Sequence, residues 1–596
     1  MDRRGILRTA AAISALPAVR RAGAAQRLSR TRPGDAGWPQ PADWDRLRRA
    51  VGGRLITVRP PLEPCMADPA SEECARILGQ LTNPFYLGDE VGLTQTLGWV
   101  EAWTSRPSVY AVAAESTGDV VAAVSFAREH DLRLVVKGGG HSYQGTSNAP
   151  DSLLVWTRPM RAVTLHDAFV GSGCEGRQPP LPAVSIEAGA LWGRVYDAVA
   201  VEAGRYVQGG GCLTVGVAGL VLSGGFGSMS KAFGMAAAGL IEAEIVTADG
   251  SALTVNACTH PDLFWALKGG GGGSFGVVTR LTLRTHALPD RIGAAVMSIT
   301  ARSADAFRRL VGRALEFYRE ALLNPHWGEQ MAFRPDNRLV AAMVFQGLDR
   351  DAAQAVWRPF LDWVAGSPSD FTIDSGPTFL ALPGREFWDP GALAGIPGLV
   401  VADARPGAPP GNVFYAGDEG QVGQVIYAYQ SAWLPAPLLG DLEQLGDALF
   451  LASRHWGVAL HFNKGLAGAS PEAMSGARDT ATNPVVLDAF ALLIAGAEGP
   501  PAYPGITGHE PDVAEAYRQA GALTRAMSEI RKLPLPAGAY LAESDFFEPD
   551  WAKAFWGPHY PRLLAIKRRY DPDDLFIVHH GVGSERWSLD GFTLVE

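Results

Sequence analysis

Two side chains able to attack an electron-poor carbon, an imidazole and a thiol, stand in glycine-rich loops of this chain. His141 lies in Lys137-Gly138-Gly139-Gly140-His141-Ser142, directly after the apolar run RLVV. Cys212 lies in Gly210-Gly211-Cys212-Leu213-Thr214-Val215-Gly216, and its loop continues through Gly219, Ser223 and Gly224. A third loop, KGGGGGSFG, spans residues 268–276. Successive unhindered backbone N–H groups at such turns cradle a pyrophosphate. Taken singly, the histidine reads equally as a hydrogen-bonding residue and the cysteine as a small buried hydrophobe. The weight lies in the order and content of the three loops together. The G-x-G-x-x-G dinucleotide fingerprint does not fit, because no long helix with a later ribose-binding acid follows the first loop.

The elements that must hold these loops are short strands alternating with helices. SVYAVAAE reads as a strand and turn, Thr117-Gly118-Asp119 opens a helix running through VVAAVSFAREH, and RLVVKGGGH reads as a strand ending in a glycine turn. Further strands are expected at 153–156, 183–189, 243–249 (with Val246 facing the cofactor) and 277–286. From about 290 to 540, strand-like RLVAAMVFQGL and QVIYAYQSAWL alternate with helix-like ADAFRRLVGRALEFYREAL. The expected class is therefore α+β. Residues 40–290 would form a cofactor domain, 291–544 a domain with an antiparallel sheet covered by helices, and 545–596 a helical segment returning to the first. Residues 27–60, rich in Pro and Arg, are expected to wrap a surface.

A chain of 596 residues, 47% of them hydrophobic, implies two or more domains with sizeable cores. A net charge of −10 without a basic stripe argues against a nucleic-acid partner. No apolar run reaches the ~18 residues of a membrane-spanning helix. The N-terminus carries Arg3-Arg4, a mildly apolar stretch, Arg20-Arg21 and Ala22-Gly23-Ala24. That order predicts a twin-arginine-type signal over residues 1–26, an export machinery as partner, and a periplasmic or extracellular location; a simple basic N-terminus is the alternative. Export permits disulfides. Of the five cysteines, Cys65 and Cys74 are the preferred pair if Cys212 serves a cofactor, and the pairing of Cys174 with Cys258 stays open. The oligomeric state is not set by the sequence.

On these motifs the chain resembles the berberine-bridge-enzyme-like flavoproteins of the vanillyl-alcohol oxidase and p-cresol methylhydroxylase superfamily. The likeness covers most of 105–285, including Asp262 through Gly276, and the tail 555–576. It implies the superfamily's two-subdomain FAD-binding fold and a covalently held FAD. His141 would bond the flavin 8α-methyl carbon and Cys212, in C-x-T-V-G, would bond flavin C6. A neutral imidazole and a thiolate are the side chains nucleophilic enough for these bonds. The resemblance also implies that Val215, three residues after the cysteine, admits O2, as valine does in oxidases of this family. The tail departs from pattern, since His559 stands where relatives carry an asparagine near the flavin.

Hydride transfer from an alcohol needs a base for the hydroxyl proton. GAYLAESDF (538–546) resembles the family's active-site A-Y-x-N-Y, with Tyr540 retained and Glu543 in the second position. Strand alternation would put those two on opposite faces. In LHFNKG, alternation puts His461 and Asn463 on one face and Lys464 on the other. The order of candidates is Glu543, His461, Tyr540, then Asn463 as an orienting donor. His579-His580 has no further ligand cluster and reads as structural, with no metal. The expected function is an exported FAD oxidase of an alcohol or carbohydrate-like small molecule, with O2 as acceptor and H2O2 as product. One alternative is oxidative cyclisation or dehydrogenation of a secondary metabolite. Another, of a different class, is an exported flavin- or nucleotide-binding protein without turnover.

Overall fold

Ser116 starts the helix Thr117–Glu129 by a reciprocal cap: its hydroxyl accepts the Asp119 N–H, and the Asp119 carboxylate accepts the N–H of Ser116. Val120, Ala123, Val124 and Ala127 along this helix are buried. They pack between two sheets, against Leu153 and Val155 on one side and Val246 and Val277 on the other. The computed structural model that shows this describes residues 29–595, so the expected signal segment 1–26 lies outside the described residues.

The first sheet orders its strands Leu55–Thr57, Tyr110–Ala113, Ser152–Trp156 and Arg133–Lys137, with the last three parallel. The second is antiparallel and orders Ala252–Asn256, Leu240–Val246, Val277–Ala287, Leu181–Glu187 and Val163–Phe169. The strands expected from alternation up to residue 290 are all present. Residues 29–60 do more than wrap a surface. Helix Pro41–Ala50 buries Trp44 and Leu47, and the Trp44 ring stacks on Tyr110 with centroids 4.0 Å apart.

A nine-stranded sheet forms the rest, in the order Phe371–Pro383, Arg291–Ala301, Arg338–Gln346, Trp327–Phe333, Val458–His461, Ala489–Gly499, Val425–Pro435, Gly98–Trp99 and Trp103–Thr104. The last two strands come from residues 98–104, so the large sheet is not confined to the chain after 290. Helices Ala304–Phe317, Arg350–Ala365, Leu442–Ser453 and Val513–Ile530 cover one face, where period-two side chains such as Met297, Ala341, Met343 and Leu460 are buried among them. The opposite face looks toward the glycine loops. The molecule is thus α+β, with the loops held between the two small sheets and the open face of the large one. Two disulfides join Cys65 to Cys74 and Cys174 to Cys258, and Cys212 is left free. Among the described residues, no helix is long and apolar enough to cross a membrane.

Candidate active site

Strand Arg133–Lys137 ends in the first glycine loop, and that loop lies backbone against backbone on the second. A Cβ on Gly139 would sit 2.7 Å from the Gly216 nitrogen, and one on Gly216 would sit 2.8 Å from the Gly139 nitrogen. Only glycine at both positions permits this approach, and it is what brings His141 beside the Cys212 loop. Thr214 Oγ1 lies 3.3 Å from His141 Nε2, and Nδ1 makes no hydrogen bond to a described residue. Thr214 therefore acts through the imidazole and not on the cavity wall. Burial lowers the His141 pKa to about 4, so the ring is neutral and nucleophilic at neutral pH.

Cys212 differs from the expected thiolate. Burial pushes its pKa well up, and the nearby Asp418 carboxylate pushes it further. Both shifts favour the protonated thiol, and Asp418 lines the same cavity. Asp418 is itself shifted upward by burial, toward the pKa a base needs near neutrality.

His141 and Cys212 open onto one continuous cavity of about 1240 Å³. A pocket for a single drug-sized ligand takes roughly 300–1,000 Å³, so this one has room for a cofactor and a second molecule. Gly138–Ser142, Gly210, Gly211, Val215, Gly216, Gly219 and Ser223 line it, as do Gly271–Gly273 of the third loop. The residues fit a flavin on three counts. The walls are backbone where a Cβ would intrude, the imidazole is neutral, and the one cysteine outside a disulfide faces the same space.

Four of the expected cofactor contacts point elsewhere. Lys137 is fully buried, and its Nζ donates to the carbonyls of Glu90, Val91 and Leu93, fixing that turn instead of a phosphate. Val246 lies in the core against helix Thr117–Glu129. Gly224, at φ +101, packs on Thr482. His559 hydrogen-bonds the Thr482 carbonyl through Nδ1 at 3.0 Å and meets Trp265 edge to face, so it does not replace a flavin-facing asparagine.

The far wall corrects two expectations about sidedness. Residues 540–543 form a turn, closed by the Glu543 N–H on the Tyr540 carbonyl at 2.9 Å, so Tyr540 and Glu543 both reach the cavity. Likewise the strand Val458–His461 ends at His461, and a single 3-10 turn carries Asn463 and Lys464 onward. Lys464 thereby meets Glu543, with Nζ 2.6 and 2.5 Å from its two carboxylate oxygens. Glu543 is occupied on both oxygens, which demotes it as a base. Burial and Lys464 drive the His461 pKa well down. Burial and Glu543 raise that of Tyr540, whose hydroxyl accepts the Gly225 N–H at 3.3 Å.

A residue not singled out from the sequence, Glu329, is placed better than any of these. It sits inside strand Trp327–Phe333 at φ +68, a conformation non-glycine residues seldom adopt, and both it and its neighbour Gln330 reach the cavity. Gly328 makes this possible, since a Cβ there would lie 1.8 Å from the Ser228 carbonyl. Ser228 Oγ and Asn463 Nδ2 (at 3.3 Å) both donate to Glu329 Oε1, which leaves Oε2 unengaged. Asn463 thus donates to the Glu329 carboxylate. Burial raises the Glu329 pKa, the Ser228 hydrogen bond and Lys464 oppose the rise, and Asp418 and Glu543 add to it. Elsewhere on the wall Tyr143 and Tyr429 meet with centroids 5.2 Å apart, and Tyr143 donates to Gln421 at 3.0 Å. His579 stacks on Phe546 and on His580, each at 3.8 Å.

Residues 108–256 match the FAD binding domain family, and residues 539–583 match the family described as berberine and berberine like. The FAD-linked oxidoreductase malF of Malbranchea aurantiaca is 32% identical over 95% of this chain and 93% of its own length. The crystal structure of the VAO-type flavoprotein MtVAO615 from Myceliophthora thermophila C1 superposes with a TM-score of 0.75 at 25% identity, over 95% of this chain and 99% of that one. The glucooligosaccharide oxidase of Acremonium strictum, described with a 6-S-cysteinyl, 8α-N1-histidyl FAD, shares the fold at a TM-score of 0.62 and 19% identity, over 88% of this chain and 99% of its own.

Proposed function

The chain belongs to the berberine-bridge-like FAD-linked oxidoreductases of the vanillyl-alcohol oxidase superfamily, and from that membership we propose that it is an exported oxidase of an alcohol, with FAD joined to both His141 and Cys212. One observation carries the double linkage. The Gly139–Gly216 contact brings a neutral imidazole and the one unpaired cysteine onto the same cavity. The N1-histidyl attachment described for the Acremonium enzyme supports the same nitrogen here, because Thr214 stands at Nε2 and leaves Nδ1 for the bond. Asp418, the carboxylate that acts most strongly on the thiol, takes the Cys212 proton.

When bound, the flavin supplies the hydride acceptor at N5 and returns two electrons to O2, giving H2O2. The chain's own residues handle the proton. Glu329 Oε2 receives it from the substrate hydroxyl, while Ser228 and Asn463 hold the carboxylate by its other oxygen. Lys464 and Glu543 form a fixed ion pair beside it, orienting the substrate. Val215, on the cavity wall, leaves the O2 path open. The paired arginines near the N-terminus and the two disulfides support export. The test is anaerobic mixing of the yellow holoprotein with a panel of alcohols, followed by admission of O2. Bleaching, recolouring and one H2O2 per turnover are expected, whereas a flavin that no alcohol bleaches would leave a binding protein without turnover.

A further inference from the structure

Beyond the cofactor loops the same cavity runs under the open face of the large sheet, and most side chains there are apolar. In the register of that face, Leu380, Ala294 and Val344 lie opposite one another across three strands, and Val296 lies opposite Ala342 in the adjacent row. Val296 is 44% exposed in the free protein, while its strand neighbours on the other face, Ala295 and Met297, are fully buried. Such a face is covered by something in use. The facing wall, from the segment 384–415, presents Phe387, Leu399 and Trp388, with the Trp388 indole stacked 4.6 Å from the Tyr196 ring and so fixed in place. Tyr196, Tyr206 and Tyr415 also line this part of the cavity; the first two phenols are already spent, on the Gly210 carbonyl and the Gln208 side chain. The second row leads from Val296 and Ala342 across Gln330 to His461, which is where the chamber meets Glu329 and the Lys464–Glu543 pair.

We propose that this chamber seats the body of a bulky apolar molecule, fused-ring or terpenoid in character, whose single hydroxyl reaches the polar end at Glu329. The inference rests on the oxidase function proposed above and assigns its substrate class. A sugar in the same place would bury several hydroxyl groups against methyl and aromatic carbon, and each one left unpaired weakens binding. An apolar ring system loses nothing there and gains from every half-exposed aliphatic side chain it covers. Specificity would then be set by the hydrocarbon shape, with the polar groups confined to the reacting end.

The holoenzyme is mixed anaerobically with acenaphthenol, hydroxyfluorene, geraniol, cellobiose and chitobiose, and flavin absorbance is followed. At least one of the three apolar alcohols should perturb or bleach the flavin at a concentration about tenfold or more below that needed for either sugar. Val296→Asp, at a half-exposed position, should weaken that alcohol about tenfold or more, while covalent flavin content and O2 reoxidation after dithionite reduction stay at the parent level. Val296→Leu should keep the alcohol. If the sugars act at lower concentration, or if no apolar alcohol perturbs the flavin, the substrate class is overturned and the oxidase function stands or falls on its own panel. If Val296→Asp leaves the alcohol's affinity unchanged, the chamber is not where it binds. A protein isolated without flavin would instead overturn the proposed function, so the two failures are distinguishable.

Discussion

Replacing Glu329 by Gln separates the base from the scaffold that holds it. The amide keeps an oxygen for Ser228 Oγ and Asn463 Nδ2, both of which donate to the same carboxylate oxygen, so position is retained and basicity is lost. General-base catalysis by a placed carboxylate contributes about a hundredfold to ten-thousandfold, which is about 2.7–5.4 kcal/mol of barrier. The rate constant for flavin reduction under anaerobic stopped flow should fall by that factor, with reoxidation by O2 unchanged. The pH profile gives an independent sign. A base works only when deprotonated, and burial together with Asp418 and Glu543 holds the Glu329 pKa above that of an ordinary glutamate, against the pull of Ser228 and Lys464. The parent reduction rate should therefore rise with pH through an inflection above the usual carboxylate range, and the rise should be absent in Glu329→Gln. Unchanged reduction, or an inflection that survives the substitution, would refute the assignment. A comparable loss in Glu543→Gln with Glu329 intact would return the role to Glu543.

Other substitutions probe the cofactor side. Asp418→Asn removes the carboxylate that acts most strongly on the Cys212 thiol, so the cysteinyl bond should form slowly or not at all while the histidyl bond persists; peptide mass analysis after denaturation reads this directly. Val215→Leu adds a carbon to the cavity wall beside Cys212. It should slow reoxidation by O2 about tenfold or more and spare reduction by substrate, as measured in separate half-reactions.

Much of the cofactor end was legible in the sequence because its signals are local. A glycine run after an apolar strand, the Thr117-Gly118-Asp119 helix start, and period-two alternation each fix nearby backbone, and these brought the loops of His141 and Cys212 into view. The far wall depends on where alternation stops. Strand Val458–His461 ends before Lys464, which a 3-10 turn carries off the opposite face, and the turn at 540–543 undoes the separation of Tyr540 from Glu543. Glu329 was hidden for the same reason: in an ideal strand it points away from Gln330, and only its left-handed φ brings it into the cavity. Asp418 sits in a short 3-10 helix with no periodicity to betray it. Lys137, Val246 and His559 show the converse error. They lie beside cofactor motifs in sequence, but their side chains turn into the protein interior or onto neighbouring carbonyls.

The most direct test is a peptide map of the acid-denatured protein. A single flavin bridging the His141 peptide to the Cys212 peptide is predicted, reduced to one attachment in His141→Ala or Cys212→Ala and to none in the double variant. Flavin released into the acid supernatant of the unsubstituted protein, or retained by the double variant, would contradict the two-residue tether.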